Sequence, residues 1–328
     1  MRLAIAGCLL VVAYAAHALG FCWAAAAIAY VLIARKASPR LGAILFAGAL
    51  CAVIGLRFLI TARYPTFWSP HQVLEATAID QVWTFGLKYC GISVGLGMLW
   101  GFLFLRLSHA LSVRQIAESL PFQLCCLLSA GVLLIPTRIE LPAFNSALSL
   151  IAERLTLLLG ILICAFLGSS KPDRWQIHSL FVLAIVYFSF LYVDTSALNR
   201  SERSVETLLS QIPPGQRVFS SFTGKDERVL LWPHAVDRAC IGRCISYNNY
   251  EPRSAAFRIH AIAENPSVVW KAREYSDLSN GGYLVREEDL PLYQLQTCEP
   301  AKNSICIKAL IAGEVTKGYP ISLLPVLW

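Results

Sequence analysis

The densest group of chemically versatile side chains lies between residues 232 and 253. It comprises a candidate acid or base, a carboxylate three residues later, and a run of aromatic, amide and carboxylate groups: His234, Asp237, Tyr247, Asn249, Tyr250 and Glu251. Aromatic rings beside amides and carboxylates are suited to holding sugars or peptides. In a helix, His234 and Asp237 would share one face, as a base and its orienting carboxylate. The alternative is an external loop in which these groups bond to nearby backbone.

A second set of charged side chains lies at the ends of apolar segments. It consists of the cations Arg57, Lys88, Arg138 and Arg154, together with Glu140 and Glu153. Ionisable groups close to hydrocarbon are costly and often mark a pathway or a phosphate site, and arginine can hold phosphate through two hydrogen bonds. The four cations therefore predict binding of the phosphates of a lipid-linked donor. The alternative is snorkelling, in which long side chains reach the lipid headgroups.

Carboxylates that could serve as an externally facing general base are scarce in the N-terminal half. The segment from 61 to 82 contains two, Glu75 and Asp80. A general base must lie within hydrogen-bond reach of the proton that it accepts. We take Asp80 and Glu75 as candidate catalytic residues on that basis. Residues 73–82 are predicted to form a short helix on the membrane surface.

The elements that must position these groups lie in two different environments, a membrane and water. Of 328 residues, 56% are hydrophobic and 15% are charged, and the mean hydropathy is +0.56, which excludes a wholly water-soluble protein. Residues 1–194 contain 13 basic and 7 acidic residues, whereas residues 195–328 contain 15 and 14. Nucleic acid is not expected as a partner, because the polar part has almost no excess positive charge.

Apolar segments bounded by charges predict the membrane helices. Five are clear, at about 41–61, 83–106, 120–136, 147–168 and 177–194, and residues 3–33 form a further one or two helices. A cleaved signal peptide is the competing interpretation of the first 20 residues. The expected fold is an α-helical polytopic membrane bundle of six or seven transmembrane helices over residues 1–194. A small extracytoplasmic α/β or α+β domain follows over residues 195–328. It is expected to have a helix at 204–211 and strands at 217–222, 228–232, 256–262, 267–272 and 282–285.

Lysine and arginine in the short loops predict the orientation. Seven of them lie in three alternate loops, Arg35, Lys36, Arg40, Arg106, Arg114, Lys171 and Arg174, against Arg63 and Arg138 in the other two. Positive charge is retained on the cytoplasmic side. We therefore expect a multi-pass protein of the inner membrane whose C-terminal domain is periplasmic.

The eleven cysteines are divided between the apolar N-terminal part and the polar C-terminal part of the chain. Seven lie in apolar segments, where a thiol acts as a small hydrophobe. The other four, Cys240, Cys244, Cys298 and Cys306, predict two disulfides in an oxidising compartment. Of three connectivities, Cys240 with Cys244 and Cys298 with Cys306 is preferred because it closes short loops, and a zinc site of four thiolates is the alternative. No cofactor is predicted, and a divalent metal has no support in the pattern.

Three segments give the chain a resemblance to a known type of enzyme. They are Leu141-Pro142 followed by Ser149-Leu-Ile-Ala-Glu153-Arg154, the segment Leu209 to Val218, and the segment Cys240 to Pro252. Over residues 41–328 the chain resembles the C-terminal half of bacterial polytopic glycosyltransferases of the GT-C type. The resemblance implies transfer of a sugar from a polyprenyl-phosphate donor at the external face. Such enzymes carry a catalytic acid in their first external loop, so either Asp80 replaces it or the catalytic half lies elsewhere.

Two functions are therefore expected. The first is a GT-C-like protein that acts on or binds a polyprenyl-phosphate-linked sugar, with membrane lipid as its surroundings. The alternative is a non-catalytic membrane scaffold or assembly subunit whose external domain, residues 195–328, binds a protein partner. A transporter is disfavoured because no charge lies near the middle of an apolar segment. The sequence lacks the P-loop, GxSxG, HExxH and haem-attachment motifs.

Overall fold

The computed structural model describes residues 7, 18–141, 146–169, 171–223, 231–249, 267–269, 271–298 and 305–320. The chain divides into two compact units. Unit 1 comprises residues 1–81, 97–139 and 149–177, and unit 2 comprises residues 82–96, 140–148 and 178–328. Two long helices, Lys88–Ala110 and Arg174–Leu209, have residues in both units. The division thus cuts through both helices.

Unit 1 is helical. Its helices are α1 (Ala18–Ala34), α2 (Pro39–Arg63), α3 (Gln72–Glu75), part of α4 (Lys88–Ala110), α5 (Val113–Glu118), α6 (Leu120–Leu134), α7 (Ile151–Leu167) and the start of α8 (Arg174–Leu209). The start of α2 is set locally, because the Ser38 side chain accepts a hydrogen bond from the Leu41 N–H and Pro39 occupies the first turn. Strands β1 (Thr66–Phe67) and β2 (Arg138–Leu141) pair antiparallel.

Two apolar clusters hold unit 1 together. One joins Leu107 of α4 and Ile116 of α5 to Phe166 and Leu167 at the end of α7. The other joins Ala78 to Leu128 of α6 and Leu159 of α7. One face of α7 thus packs inside the unit, through Ile151, Ala152, Leu155 and Leu159, whereas Leu157 and Ile161 are exposed.

The number of membrane helices differs from the prediction. Among the described residues, three helices are long and apolar enough to cross a membrane, namely α2, α4 and α8. The prediction of a polytopic bundle with six or seven transmembrane helices is therefore wrong. The segment predicted at 120–136 forms the 15-residue α6, which is about 22 Å long and shorter than the hydrocarbon core. The segment predicted at 147–168 forms α7, which has 17 residues and buries one face in the protein.

In unit 2, the start of α4 packs on the middle of α8. Phe85, Tyr89 and Ile92 form a buried cluster with Tyr187, Phe190 and other residues of α8. The ring of Tyr89 meets those of Tyr187 and Phe190 edge-on, at centroid distances of 6.1 and 5.9 Å, which is the favoured geometry for aromatic pairs.

The rest of unit 2 is a domain of mixed helices and strands. Its helices are α9 (Leu231–Ala239) and α10 (Ala272–Asn280), and the unit also contains β3 (Ser146–Leu148). The strands of the domain are β4 (Arg217–Ser220), β5 (Phe222–Thr223), β6 (Ile245–Ser246), β7 (Gly281–Leu284), β8 (Leu292–Thr297), β9 (Ile305–Ala309), β10 (Val315–Lys317) and β11 (Tyr319–Pro320).

The main sheet of this domain has the strand order β6-β4-β8-β9. Strand β4 runs parallel to both of its neighbours, β6 and β8, and β9 runs antiparallel to β8 at the edge. Strands β5 and β11 pair parallel, and β7 and β10 pair antiparallel.

Alternating side chains of the sheet face two separate cores. Val218 and Leu295 pack with Val205 and Leu209 of α8 and with Val236 of α9. The neighbouring residues Phe219 and Leu292 pack on the other side with Tyr247 and Leu278. The end of α8 is therefore part of the core of the domain, and no break separates the candidate membrane helix from it.

Candidate functional site

The candidate catalytic carboxylates Glu75 and Asp80 both lie buried in unit 1, each with 3% of its surface exposed. Glu75 ends α3, and Asp80 follows Ala78, whose φ of 58° is in the left-handed region. The Thr156 hydroxyl of α7 donates to Oδ1 of Asp80 at 2.8 Å. Gln81 Nε2 donates to Oδ2 at 3.1 Å. Two neutral side chains thus help to fix the position of the Asp80 carboxylate.

The segment that carries these carboxylates is anchored to α6. Gln72 Nε2 donates to the backbone carbonyls of Val132 and Ile135, at 2.6 and 2.8 Å. The Ser129 hydroxyl donates to the Ala76 carbonyl at 2.6 Å. Side chains here satisfy carbonyls at the end of a helix, which have no partner within it. This arrangement favours a structural role for the two carboxylates, and their catalytic role stays a prediction.

The four cations predicted to bind phosphate lie in different structural environments. Arg57 Nη1 donates to the Leu134 carbonyl at the end of α6, at 2.9 Å. Arg138 on β2 and Arg154 on α7 are exposed residues of unit 1. Lys88 belongs to unit 2. The carboxylate of Glu153 accepts a hydrogen bond from Thr137 at 2.5 Å.

Lys88 forms a buried ion pair that sequence reasoning missed. Its Nζ lies 2.5 Å from Oδ1 of Asp194, whose side chain is fully buried. Tyr89 donates its hydroxyl to Oδ2 of the same carboxylate at 2.7 Å. The ammonium also lies 5.4 Å from the centroid of the Phe190 ring, within range of a cation–π interaction. The available signal was two opposite charges at the ends of two apolar segments.

The structure does not bring the candidate binding residues of segment 232–253 together at one described site. Tyr250 and Glu251 lie outside the described residues, and His234 lies on α9. Asp237 accepts a hydrogen bond from the Ser246 hydroxyl at 2.5 Å, whereas the Tyr247 hydroxyl donates to Asp289. Asn249 is half-buried and follows β6. Asp237 and Tyr247 therefore bond to different partners, which favours a structural role.

Asp289 is the centre of a buried polar network in the domain. Its carboxylate is 1% exposed and accepts the hydroxyls of Tyr247 and Tyr283, at 2.5 and 2.8 Å. The Arg286 backbone N–H donates to it at 2.8 Å. Burial, and then the hydrogen bond to Asp289, raise the pKa of Tyr283 to about 12. Both effects also raise the pKa of Tyr247. The network thus keeps both phenols neutral beyond the pH at which an ordinary tyrosine ionises.

The predicted disulfides are confirmed. Cys240 and Cys244 are bonded, with a Cα–Cα distance of 4.5 Å, and Cys298 and Cys306 are bonded at 5.3 Å. These four sulfurs therefore cannot serve as thiolate zinc ligands. Within the described part of the chain, no group of three or more His, Cys, Asp or Glu side chains is arranged to hold a metal ion.

A polar groove of about 420 Å³ lies on the face of the main sheet near the second disulfide. Its walls include Gln294, Gln296, Lys308, Glu314, Lys317 and Tyr319, together with the bonded Cys298 and Cys306. Glutamines at alternate positions of a strand gave the only sequence signal for it. The volume lies within the range of about 300–1,000 Å³ that is usual for ligand sites.

Comparison with protein-family models, curated proteins and solved structures finds no match to this chain. The resemblance to GT-C glycosyltransferases therefore stays a prediction. The function of the chain has to be inferred from the geometry of its described residues.

Proposed function

We propose that the chain is a multi-pass inner-membrane scaffold that holds its disulfide-bonded C-terminal domain at the periplasmic face, where the domain binds a partner. The observation that carries the proposal is the continuity of α8. This single helix of 36 residues is apolar over its first part and ends in the core of the domain, through Val205 and Leu209. At a rise of 1.5 Å per residue it is about 54 Å long, well beyond the roughly 30 Å of a bilayer core.

Contacts within unit 1 support the placement of the C-terminal domain on the external side of the membrane. Arg106 at the end of α4 forms an ion pair with Asp173, directly before α8. Leu107, Phe166 and Leu167 pack together beside it. The end of α4 and the start of α8 therefore lie at the same end of unit 1. Between them, the chain runs away from this end along α6 and comes back to it along α7. With Arg35 and Lys36 inside before α2, α8 runs from inside to outside.

The disulfides give independent support for an oxidising compartment. Both bonds lie in the C-terminal domain, whereas all six described cysteines of the helical segments are free. Disulfides persist outside the cytoplasm and are rare within it. A periplasmic domain fits this division of the cysteines.

The burial of the candidate general bases that a transferase would need favours the scaffold over the lipid-linked transferase. Glu75 and Asp80 would need the anchored segment 72–81 to move before a substrate could reach them. A general base has to approach the proton that it removes. The fixed position of the segment on α6 argues against such movement, so the transferase is the second candidate.

Cysteine accessibility tests the placement of the domain. Arg273 is exposed on α10 and Val113 is exposed at the start of α5. In spheroplasts, a membrane-impermeant maleimide is expected to label Arg273→Cys and not Val113→Cys, with the native thiols of the wild type as the background. The reverse pattern would overturn the periplasmic placement. Labelling of both after permeabilisation is the control.

A comparison of two variants tests the scaffold against the transferase. Asp80→Asn keeps the size of the side chain and removes its basicity. It is expected to leave the cell-surface glycan profile unchanged, whereas a chain truncated after residue 209 is expected to reproduce the null strain. A null profile in Asp80→Asn, at a wild-type level of folded protein, would establish the transferase in place of the scaffold.

A further inference from the structure

The polar groove lies beside β8, next to the place where an open α/β sheet usually binds its ligand. Strand β4 is central, and the chain passes first to β6 on one side and then to β8 on the other. Ligands of such sheets bind beyond the carboxyl ends of the strands at the point where the order reverses. In this domain that point is the crevice between the ends of β4 and β8.

A hydrogen-bonded floor joins this crevice to the groove. Ser221 directly follows β4 and is fully buried. Its hydroxyl donates to the Lys317 carbonyl and accepts from Gln294 Nε2, both at 2.6 Å. Gln294 Nε2 also donates to the Lys317 carbonyl at 2.8 Å. Both amide hydrogens of Gln294 are used, so the floor is held by its own bonds.

Strand register brings the ligand-facing groups together on one face. Gln294 and Gln296 alternate with Leu295, which faces the opposite core. Lys308 lies opposite Gln294, and Cys306 lies opposite Gln296. The disulfide between Cys298 and Cys306 links the ends of these two strands. The groove is thus built on a braced sheet, which limits the ordering that a ligand would impose.

The groove presents donors and acceptors side by side, with little net charge. The Tyr319 hydroxyl donates to Oε1 of Gln296 at 2.9 Å, which orients the amide. Gln296 Nε2 has no hydrogen bond to another described residue. Lys308 and Glu314 form an ion pair in the wall. Lys317 adds one exposed ammonium group.

We propose that the polar groove binds a saccharide, with Gln296, Tyr319 and Lys317 as its main contacts. Sugar hydroxyls both donate and accept hydrogen bonds, and a fixed amide with a phenol and an ammonium complements them. The ring of Tyr319 packs against the core around Leu295, which holds its hydroxyl beside Gln296. An extended peptide would instead pair with the backbone of the edge strand β9. The inference deepens the proposed function, because it names the ligand class of the domain.

Binding by the full chain in lipid nanodiscs tests the assignment. The probes are chitobiose, maltotriose and galactobiose, measured by saturation-transfer NMR and titration calorimetry. At least one is expected to bind, and Gln296→Leu is expected to weaken it roughly tenfold, the value of one to two hydrogen bonds. Tyr319→Phe keeps the ring and is expected to weaken binding roughly threefold. Lys317→Ala changes an exposed side chain, so it remains informative if Gln296→Leu misfolds.

Two matched variants outside the groove control for general effects. Gln211→Leu changes an exposed glutamine of the same domain, and Tyr293→Phe changes a tyrosine on the opposite face of β8. Both are expected to bind like the wild type. The proposal is overturned if no probe binds, if Gln296→Leu and Lys317→Ala bind as well as the wild type, or if only unstructured peptides bind. Nanodiscs expose both faces of the protein, so this result does not depend on the maleimide test of orientation.

Discussion

Lys88 and Asp194, 106 residues apart, form an ion pair in which the ammonium nitrogen lies 2.5 Å from the carboxylate oxygen. The pair joins the start of α4 to α8, and Tyr89 satisfies the second carboxylate oxygen. The two side chains differ in burial, since Asp194 is 0% exposed and Lys88 is 14% exposed. Lys88 can therefore reach water more readily than Asp194 if the pair is broken.

This difference predicts an asymmetric response to substitution. Lys88→Met leaves a fully buried carboxylate without its countercharge and is expected to lower the free energy of unfolding by about 3–5 kcal/mol. Asp194→Leu leaves an ammonium that can snorkel and is expected to cost less. Thermal unfolding of the protein in detergent measures both. The double variant Lys88→Met with Asp194→Leu is expected to be more stable than Lys88→Met alone.

An exposed ion pair provides the control for these variants. Arg114 and Glu118 are paired four residues apart on α5, and Arg114→Met is expected to change the melting temperature little. If Lys88→Met were as mild as Arg114→Met, the pair would not be a determinant of the packing of α4 on α8.

A second prediction concerns the buried carboxylate Asp80. Thr156→Val has nearly the same shape and removes the hydroxyl that donates to Asp80. It is expected to lower the free energy of unfolding by about 1–3 kcal/mol, because a buried acceptor loses a donor. The control is Thr61→Val, an exposed threonine of α2 that bonds within its own helix. Equal melting temperatures for the two variants would mean that the contact does not fix the segment 72–81.

Three of the predicted segments form helices that are long and apolar enough to cross a membrane, and these helices share one property. The predicted segments 41–61, 83–106 and 177–194 correspond to α2, α4 and α8, whose apolar surfaces are mostly exposed in the protein. The segment predicted at 147–168 corresponds to α7, which buries Leu155 and Leu159. Hydropathy measures how apolar a segment is and does not distinguish lipid from protein as its surroundings. Hydropathy therefore predicted two spans in segments that form the shorter helices α6 and α7, of 15 and 17 residues.

The candidate site residues show a similar limit of sequence reasoning, because contacts between distant elements could not be predicted. The disulfides were predictable because each pair is close in sequence, at separations of 4 and 8 residues. The pairing of Lys88 with Asp194 depends on how two helices pack, which the sequence pattern does not specify. Asp80 was expected on a surface helix over 73–82. The structure has the short α3, a left-handed Ala78 and a 3-10 helix over Ile79–Val82 instead, and these turn the segment onto α6 and α7.

The third prediction concerns the two disulfides. Loop-closure entropy gives about 2.5 kcal/mol for the Cys298–Cys306 bond and about 2 kcal/mol for the Cys240–Cys244 bond, because the first closes the longer loop. Replacing each pair by serines is expected to destabilise the domain in that order. Peptide mapping without reductant checks the connectivity, and thermal unfolding checks the order. A peptide that links Cys244 to Cys298 would contradict the assignment.

The last prediction is a dependence of stability on alkaline pH. The Tyr283 hydroxyl donates to Asp289 only while it is neutral, and its pKa is raised from 10.0 in the unfolded reference to about 12 in the folded protein. The stabilisation from this group is therefore complete below about pH 10 and is lost as the pH rises through 12. Tyr283→Phe should be less stable than the wild type at pH 8, and the gap in melting temperature should narrow between pH 10 and 12. Tyr293→Phe is the control, because Tyr293 packs against the apolar core around Leu295. A gap for Tyr283→Phe that stayed constant up to pH 12 would show that the bond to Asp289 does not stabilise the domain.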